Sequence, residues 1–275
     1  ASVQQRLHTM LEAKNMEFAG CYHQEPMSFP ALLTWCEKQA KQFSEYICDT
    51  GHYISQALDD GKNVILEAQL GAMRDIDYGI FPYTSSSSTI SAYSPIGAGI
   101  PMYSPDHVVG VLKAYSTCVG AGPFLAENAM SENWMEALRK AGGEYGAATG
   151  RPRRVGPFDA VASRYGLKFQ NADKIALTKL DVLSLLPEIP VITGYKYEDT
   201  VTGTFDTMDD MEHVTPVVKM VPGWQQDITN CRRFQELPQK AKDYVHYLEE
   251  LLEHEIQFIS VGAKRDEYIL KGAWL

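Results

Sequence analysis

The sequence predicts an α/β protein with a mostly parallel central sheet, flanking helices and a small antiparallel excursion. Short apolar runs of strand type alternate with helical patterns, which is typical of a parallel sheet covered by helices. Hydrophobic residues make up 45% of the 275 residues, enough for a substantial core. We expect one α/β domain over residues 1–275, in which residues 1–60 are helical and residues 61–275 carry the binding motifs.

The first 60 residues predict three helices. Ser2 is a suitable N-cap for a helix that runs to about residue 14, and Ser28 begins a second helix that runs to about residue 47. A third helix ends at Gly61, a residue type that suits a helix C-terminus. The first segment lacks the apolar centre of a secretory signal, and no apolar run is long enough to cross a bilayer.

The remaining elements alternate along the chain. Helical patterns occur at residues 133–140, 158–169 and 238–253, the last with the clearest periodicity. Strand-like runs occupy residues 63–69, 108–116, 174–181, 189–197 and 257–263. The antiparallel excursion is predicted for residues 201–205 and 213–220.

The charge balance favours a small anionic ligand over a polymer. The formal net charge is −10, whereas proteins that bind nucleic acid polymers are usually basic. Against this acidic background, the stretch GAATGRPRR gathers Arg151, Arg153 and Arg154. Guanidinium groups bind phosphates and carboxylates through paired hydrogen bonds. A solvated basic surface patch is the alternative interpretation.

The cysteine pattern argues against a zinc site or a disulfide framework. The five cysteines are scattered along the chain and form no CxxC pair. A reducing cytoplasm is therefore the expected compartment.

The stretch LTKLD, residues 177–181, follows an apolar run, at the place where α/β sheets position ligands. The Asp181 carboxylate can accept hydrogen bonds from guanine N1–H and the 2-amino group, while the Lys179 stem lies along the purine. A surface ion pair worth less than about 1 kcal/mol is the alternative. The phosphate-loop pattern GxxxxGK[ST] is absent, so the arginine-rich stretch is the expected phosphate holder.

Three other stretches leave their interpretation open or favour a structural role. The Gly-rich turn at residues 116–123 either makes a tight corner or lets the backbone approach a ligand. The hydroxyl-rich stretch at residues 84–101 is either a mobile connection or a functional loop. We interpret Asp75 and Asp77 as turn-forming residues and Trp224 as a packing residue.

Six motifs, taken together, resemble the adenylosuccinate synthetases. In order, they are YGIFPYTSSSST, VLKAYSTCVGAGPF, GEYGAATGRPRRVGPFD, LTKLDVL, VPGW and ISVGAKRDE. The resemblance implies a nucleotide-binding architecture related to the phosphate-loop proteins. It also implies a ligase that joins L-aspartate to IMP through a carbon–nitrogen bond. GTP phosphorylates the 6-oxygen of IMP, and the aspartate amine then displaces the phosphate, giving adenylosuccinate, GDP and phosphate for AMP synthesis.

The resemblance also implies site residues within the nucleotide- and aspartate-binding part, residues 61–275. The residues expected to bind aspartate are Ala147, Ala148, Thr149, Gly150, Arg151 and Arg153. The residues expected to bind GTP are Arg153, Lys179, Asp181, Ser260 and Gly262. The residues expected to bind IMP are Gln69, Ser85, Val119 and Arg151.

The sequence departs from the family pattern within two of these motifs and in a stretch that precedes them. It reads EAQLG at residues 67–71 where members read EGAQG, so either Gln69 or Leu70 faces the IMP base. Ala148 replaces a threonine, and Cys118 stands where an arginine is common.

The family's GDEGKGK and GH[TS] segments, which carry the general base, the catalytic acid and the principal Mg²⁺ ligand, do not occur in the sequence. We expect the chain to be the C-terminal portion of a longer homodimeric enzyme. Its catalytic groups and Mg²⁺ ligands would then precede Ala1, with none in the chain itself, and the chain alone would be inactive.

Two alternatives remain open from the sequence. A paralogue that acts on a different purine nucleotide, making a 2-aminoadenylosuccinate, would account for the altered Gln69–Leu70 region. A non-catalytic nucleotide-binding or dimerising fragment would account for the missing motifs.

Overall fold

The structure is a computed structural model that describes residues 2–204 and 211–272. The chain divides into two compact units, Ala1–Val64 and Ile65–Leu275, which are described separately.

The first unit is helical. Its elements are α1 (Val3–Cys21), α2 (Phe29–Phe43), a 3₁₀ turn (Ser44–Tyr46) and α3 (Thr50–Asp59). The predicted caps are confirmed: the Ser2 side chain accepts a hydrogen bond from the Gln5 amide, and the Ser28 side chain accepts one from the Ala31 amide. Helix α1 extends beyond residue 14, and α2 ends before residue 47.

The strand predicted for residues 63–69 does not form, and this prediction is wrong. Residues 63–69 adopt an irregular path, and Ile65 is 91% exposed. A strand needs a partner to satisfy its backbone groups, and none of the described strands pairs with this run. The apolar composition was therefore not a sign of burial.

The second unit alternates strands and helices. In chain order its elements are α4 (Ser94–Gly97), β1 (Val109–Lys113), β2 (Ser116–Cys118), α5 (Glu132–Gly142), β3 (Arg154–Gly156), β4 (Phe158–Asp159), α6 (Ala160–Gln170), β5 (Lys174–Thr178), β6 (Glu188–Tyr197), β7 (Thr200–Thr202), β8 (Thr215–Pro222), α7 (Gln239–Leu252), β9 (Phe258–Ser260) and β10 (Tyr268–Leu270).

The predicted α/β class is confirmed. The central sheet has the order β1-β5-β9-β10, in which β1, β5 and β9 are parallel and β10 is antiparallel to β9. Strands β2 and β3 form an antiparallel pair. In the remaining sheet β4 is parallel to β6, while β7 and β8 are antiparallel to it, which is the predicted excursion. Phe205, the last residue of the first stretch predicted for this excursion, lies outside the described residues.

The core of this unit lies between the central sheet and helix α7. Ile175 and Leu177 of β5 and Ile259 of β9 are fully buried, in one cluster with Val245 and Leu248 of α7. Their burial fixes the position of the parallel strands. Among the described residues, no helix combines the length and the apolar character that a membrane span requires.

The three parallel strands end at one edge of the central sheet, called here the carboxyl edge. Lys113, Thr178 and Ser260 are the last residues of β1, β5 and β9, and Lys113 pairs in register with Thr178. The segments that follow β5 and β9 therefore leave the sheet side by side, where open α/β sheets bind ligands.

Candidate ligand-binding site

A buried carboxylate, Glu144, organises the carboxyl edge. Its side chain is 0% exposed. Its Oε1 accepts hydrogen bonds from Tyr115 Oη at 2.6 Å, Lys179 Nζ at 2.9 Å and Lys113 Nζ at 3.0 Å. Its Oε2 accepts one from Arg153 Nη1 at 2.8 Å. These five residues are called here the Glu144 cluster.

The Glu144 cluster is positively charged. Burial alone would raise the pKa of Glu144, but hydrogen bonds from Tyr115, Lys179, Lys113 and Arg153 together lower it to about 2. Burial also lowers the pKa of Lys113, an effect that Glu144 opposes. Three cationic side chains thus surround one carboxylate, in a chain whose net charge is −10. Such a cluster attracts an anion.

Lys179 occupies the position that the sequence predicts, directly after β5. Its backbone is left-handed, with φ of +62°, and begins the 3₁₀ turn Leu180–Leu183. Its ammonium group donates to the carbonyl of Gly142 at 2.6 Å as well as to Glu144. The turn of the chain at Lys179 therefore brings its side chain into the cluster.

Asp181, in the same turn, is a carboxylate whose ionised form is disfavoured by its surroundings. Burial raises its pKa, its own amide and the Lys179 charge oppose this, and the Glu267 and Asp227 carboxylates raise it further. A ligand that donated hydrogen bonds to Asp181 would favour the ionised form.

The segment after β9 lies on the same edge. Ser260 Oγ donates to the Gly262 carbonyl at 2.9 Å, and the Val261 amide donates to the Glu267 carbonyl at 2.9 Å. A Cβ atom at Gly262 would collide with the Glu267 carboxylate. The fold therefore brings Lys179, Asp181, Ser260 and Gly262 to one edge, as expected for one binding site.

The arginine-rich stretch forms a closed loop. The Gly146 amide donates to the Arg151 carbonyl at 2.9 Å, and the Gly150 amide, at φ of +64°, donates to the Gly146 carbonyl at 2.8 Å. The loop residues predicted to bind aspartate, Ala147, Ala148, Thr149, Gly150 and Arg151, are exposed. Thr149 Oγ1 accepts from the Arg151 amide at 3.4 Å.

The three arginines have different environments. Arg151 is exposed and forms no ion pair within the part of the chain that the structure describes. Arg153 is held by Glu144. Arg154 pairs with Glu127 and donates to the Gly122 carbonyl at 2.8 Å, so it supports the Gly-rich turn. The sequence interpretation of one cluster of three arginines is therefore wrong for Arg154.

The residues predicted to bind IMP lie in loops. Gln69 and Leu70 line a cavity of about 350 Å³, together with residues 65–68, residues 87–90, Tyr93, Ser94, Gly97 and Ala98. Gln69 does not lie at a strand end, because the strand predicted before it is absent. Both side chains are exposed, and Leu70 has φ of +77°.

Arg74, which sequence reasoning missed, joins the loops of Ser85 and Val119. Its guanidinium donates to the Tyr83 carbonyl at 2.6 Å, to the Val119 carbonyl at 3.2 Å and to Cys118 Sγ at 2.9 Å. Its own carbonyl accepts from the Ser85 amide at 2.8 Å. Arg74 and Cys118 lie 44 residues apart, so no local pattern in the sequence signals this contact.

Asp75 has the predicted turn-forming role. It is fully buried, and it accepts from the Asp77 amide at 2.9 Å, the Thr89 amide at 2.6 Å and Ser88 Oγ at 2.9 Å. Burial would raise its pKa, but these hydrogen bonds lower it.

Trp224 has the predicted packing role. Its ring is buried, and its Nε1 donates to Ser184 Oγ at 3.1 Å.

Within the described residues, no group of three or more His, Cys, Asp or Glu side chains is arranged to hold a metal ion.

The fold and its carboxyl edge define an α/β protein with a cationic cluster at the ends of parallel strands. The sequence model of one family, described as adenylosuccinate synthetase, matches residues 1–269. The chain belongs to the adenylosuccinate synthetase family, as its motifs indicate.

Individual relatives agree with this assignment. The adenylosuccinate synthetase of Geotalea uraniireducens is 40% identical over 266 residues, which are 96% of this chain and 61% of that protein. That of Thermomicrobium roseum is 39% identical over 273 residues, which are 99% of this chain and 63% of that protein. The structure of fully ligated adenylosuccinate synthetase from Plasmodium falciparum matches with a TM-score of 0.88 and 33% identity, over 98% of this chain and 64% of that one. The chain thus spans less than two thirds of the length of these relatives.

Proposed function

We propose that the chain supplies the guanine- and aspartate-binding part of an adenylosuccinate synthetase, a ligase that joins L-aspartate to IMP with GTP. The products are adenylosuccinate, GDP and phosphate, in the synthesis of AMP. The observation that carries the proposal is the meeting of Lys179, Asp181 and Ser260 at the carboxyl edge, beside the cluster that holds Arg153. Membership of the family supports it.

Asp181 is the proposed guanine reader. Its ionised carboxylate accepts from guanine N1–H and the 2-amino group, whereas adenine offers no such pair of donors. Burial disfavours the ionised form of Asp181 in the free protein. Hydrogen bonds from the two guanine donors would stabilise this ionised carboxylate. Ser260 and Gly262 border the same site, and Lys179 lies between the base and the phosphates.

The arginine loop is the proposed aspartate site. Arg151, with no competing ion pair among the described residues, is suited to a substrate carboxylate. The Thr149 hydroxyl and the exposed backbone of Ala147, Ala148 and Gly150 lie in the same loop. Arg153, held from one side by Glu144, reaches aspartate and the GTP phosphates.

The IMP site is proposed at the loops that Arg74 joins. Gln69 lines the cavity, Ser85 and Val119 lie on the two joined loops, and Arg151 approaches from the aspartate side. The relatives at about 40% identity are adenylosuccinate synthetases, which favours IMP over another purine nucleotide and a ligase over a non-catalytic fragment.

The remaining parts of the proposal rest on the family resemblance alone. They are Mg²⁺ as cofactor, a homodimer and a cytoplasmic location. The net charge of −10 supports small-molecule substrates over a nucleic acid polymer. Because the sequence contains neither GDEGKGK nor GH[TS], we assign substrate positioning to this chain and expect no adenylosuccinate formation by it alone.

The test is titration calorimetry of the purified chain with GDP, ADP and XDP. We expect binding of GDP in preference to ADP. Asp181→Asn exchanges one acceptor for a donor and should weaken GDP binding roughly tenfold, with a shift towards XDP. Asp173→Asn is the matched control, because Asp173 lies just before the opposite end of β5. Equal affinity for GDP and ADP in the unmodified chain would overturn the proposal.

A further inference from the structure

Glu144 has no role in the proposed chemistry, although it is the most heavily hydrogen-bonded carboxylate of the carboxyl edge. In addition to the four hydrogen bonds already named, Glu144 accepts a fifth, from Lys113 Nζ to Oε2 at 3.2 Å. A carboxylate offers about four lone-pair sites, so Glu144 has no acceptor left for a ligand. With no exposure and a pKa of about 2, it is also unsuited to accept a proton during a reaction.

The partners of Glu144 come from separate parts of the fold. Lys113 ends β1, Lys179 follows β5, and Arg153 precedes β3. The backbone adds a further tie, because the Arg153 amide donates to the Glu144 carbonyl at 2.9 Å. One residue therefore joins two strand ends to the base of the arginine loop.

The cations keep unused donors. Lys179 has three N–H donors, of which Gly142 and Glu144 receive two. Arg153 has five, of which Glu144 receives one among the contacts within the described residues. Glu144 thus fixes the two side chains without exhausting them, and the cluster retains an excess of positive charge.

We propose that Glu144 is a positioning residue that holds Lys179 and Arg153 in one arrangement, and that tight binding of a guanine nucleotide depends on this arrangement. The inference rests on the proposed function. Glu144 acts through the two cations and touches neither nucleotide nor aspartate.

A purely electrostatic role for Glu144 predicts the opposite sign. Glu144→Gln removes a negative charge, which by itself would strengthen the binding of any polyphosphate to the cluster. Loss of positioning weakens guanine nucleotide binding instead. Glu144→Asp keeps the charge and shortens the side chain by one methylene, so only a positioning role predicts a loss of affinity for this variant.

The experiment compares the unmodified chain, Glu144→Gln, Glu144→Asp and the control Asp159→Asn, which alters a buried carboxylate that contacts none of the cluster residues. GDP and inorganic pyrophosphate are titrated into each. We expect both Glu144 variants to bind GDP roughly tenfold more weakly, with no loss of pyrophosphate binding, and Asp159→Asn to match the unmodified chain. GDP affinity that is unchanged or increased in both Glu144 variants would overturn the inference.

Amide hydrogen exchange without ligand provides a second readout. Both Glu144 variants should speed exchange in residues 146–151 and in residues 179–183 together, whereas Asp159→Asn should not. Faster exchange in one segment alone would contradict a shared anchor. A chain that prefers guanine while its Glu144 variants behave as Asp159→Asn would overturn this inference only. A chain without guanine preference would overturn the proposed function and the inference with it.

Discussion

Two regions of the second unit each bury one carboxylate, yet one region lowers the pKa of its carboxyl group and the other raises it. Glu144 at the carboxyl edge is 0% exposed, and its pKa falls to about 2. Asp159, the last residue of β4 and the N-cap of α6, is 5% exposed, and burial raises its pKa. Glu144 faces three cations and a tyrosine, whereas Asp159 accepts from Tyr195 Oη at 2.6 Å and the Ala162 amide at 3.0 Å.

The difference shows that the partners of a buried carboxylate, more than its burial, decide its charge. The Asp159 side chain caps helix α6 and accepts hydrogen bonds from neutral donors only. Charged donors keep Glu144 ionised and are themselves kept in place. Similar burial therefore accompanies opposite pKa shifts at the helix cap and at the candidate ligand-binding site.

The largest expected effect is on stability. Glu144→Ala leaves three cations around an empty site and should lower the free energy of unfolding by about 3 kcal/mol, because breaking a buried ion pair from one side is strongly destabilising. Asp159→Ala loses a helix cap and a hydrogen bond and should lower it by about 2 kcal/mol. Urea denaturation of both variants measures the difference. Equal urea midpoints for the two variants would show that the three cations do not increase the contribution of Glu144 to stability.

The acid dependence of stability should separate the two regions. The pKa of Glu144 is lowered from 4.5 to about 2, so its contribution is present above pH 4.5 and is lost as the pH falls towards 2. This loss is on the order of 3 kcal/mol. The pKa of Asp159 is raised, so its contribution is present below its usual value of 3.8 and is lost as the pH rises.

Unfolding free energies measured from pH 5 to pH 2 test this. Glu144→Gln should flatten the acid limb relative to the unmodified chain, and Asp159→Asn should leave the limb at least as steep. Parallel curves for all three chains would contradict the assignment of the acid limb to Glu144.

The arginine loop extends the comparison to an anchored and an exposed cation. Arg151→Leu should weaken aspartate binding by roughly 1.5–3 kcal/mol, the value of a charge-assisted contact, and leave stability within about 0.5 kcal/mol. Arg153→Leu should weaken both aspartate and GDP binding and also lower stability. Calorimetric titration and urea denaturation of both variants measure these quantities. Normal aspartate binding in both variants would show that the loop is a surface patch.

The smallest effect is expected for an exposed ion pair. His107 Nδ1 lies 2.8 Å from Asp173 Oδ2, and both side chains are about half exposed. Asp173→Asn should therefore change the free energy of unfolding by less than about 1 kcal/mol. A loss of unfolding free energy as large as that of Glu144→Ala would show that burial does not determine how much a charged contact contributes to stability.

Local signals in the sequence were sufficient for part of this description. The Ser2 and Ser28 caps, the Asp75 turn and the position of Lys179 after a buried strand all depend on neighbouring residues. Each could therefore be predicted from a short stretch.

The parts that failed depend on distant residues. Glu144 lies 31 residues from Lys113 and 35 from Lys179, and Arg74 lies 44 residues from Cys118. None of these three contacts leaves a local pattern in the sequence. The strand predicted for residues 63–69 failed for the same reason, because strand formation requires a partner that composition does not reveal.

The left-handed backbone of Lys179 has a consequence for protein engineering. A residue with a Cβ atom in this conformation carries a penalty of roughly 1 kcal/mol that glycine avoids. Lys179→Gly would avoid this penalty but would also remove the ammonium donor from the buried Glu144 carboxylate and from the Gly142 carbonyl, a loss at least as large. A library selected for heat resistance alone should therefore retain lysine at this position, and with it the ammonium group beside the proposed guanine reader, without any selection for nucleotide binding.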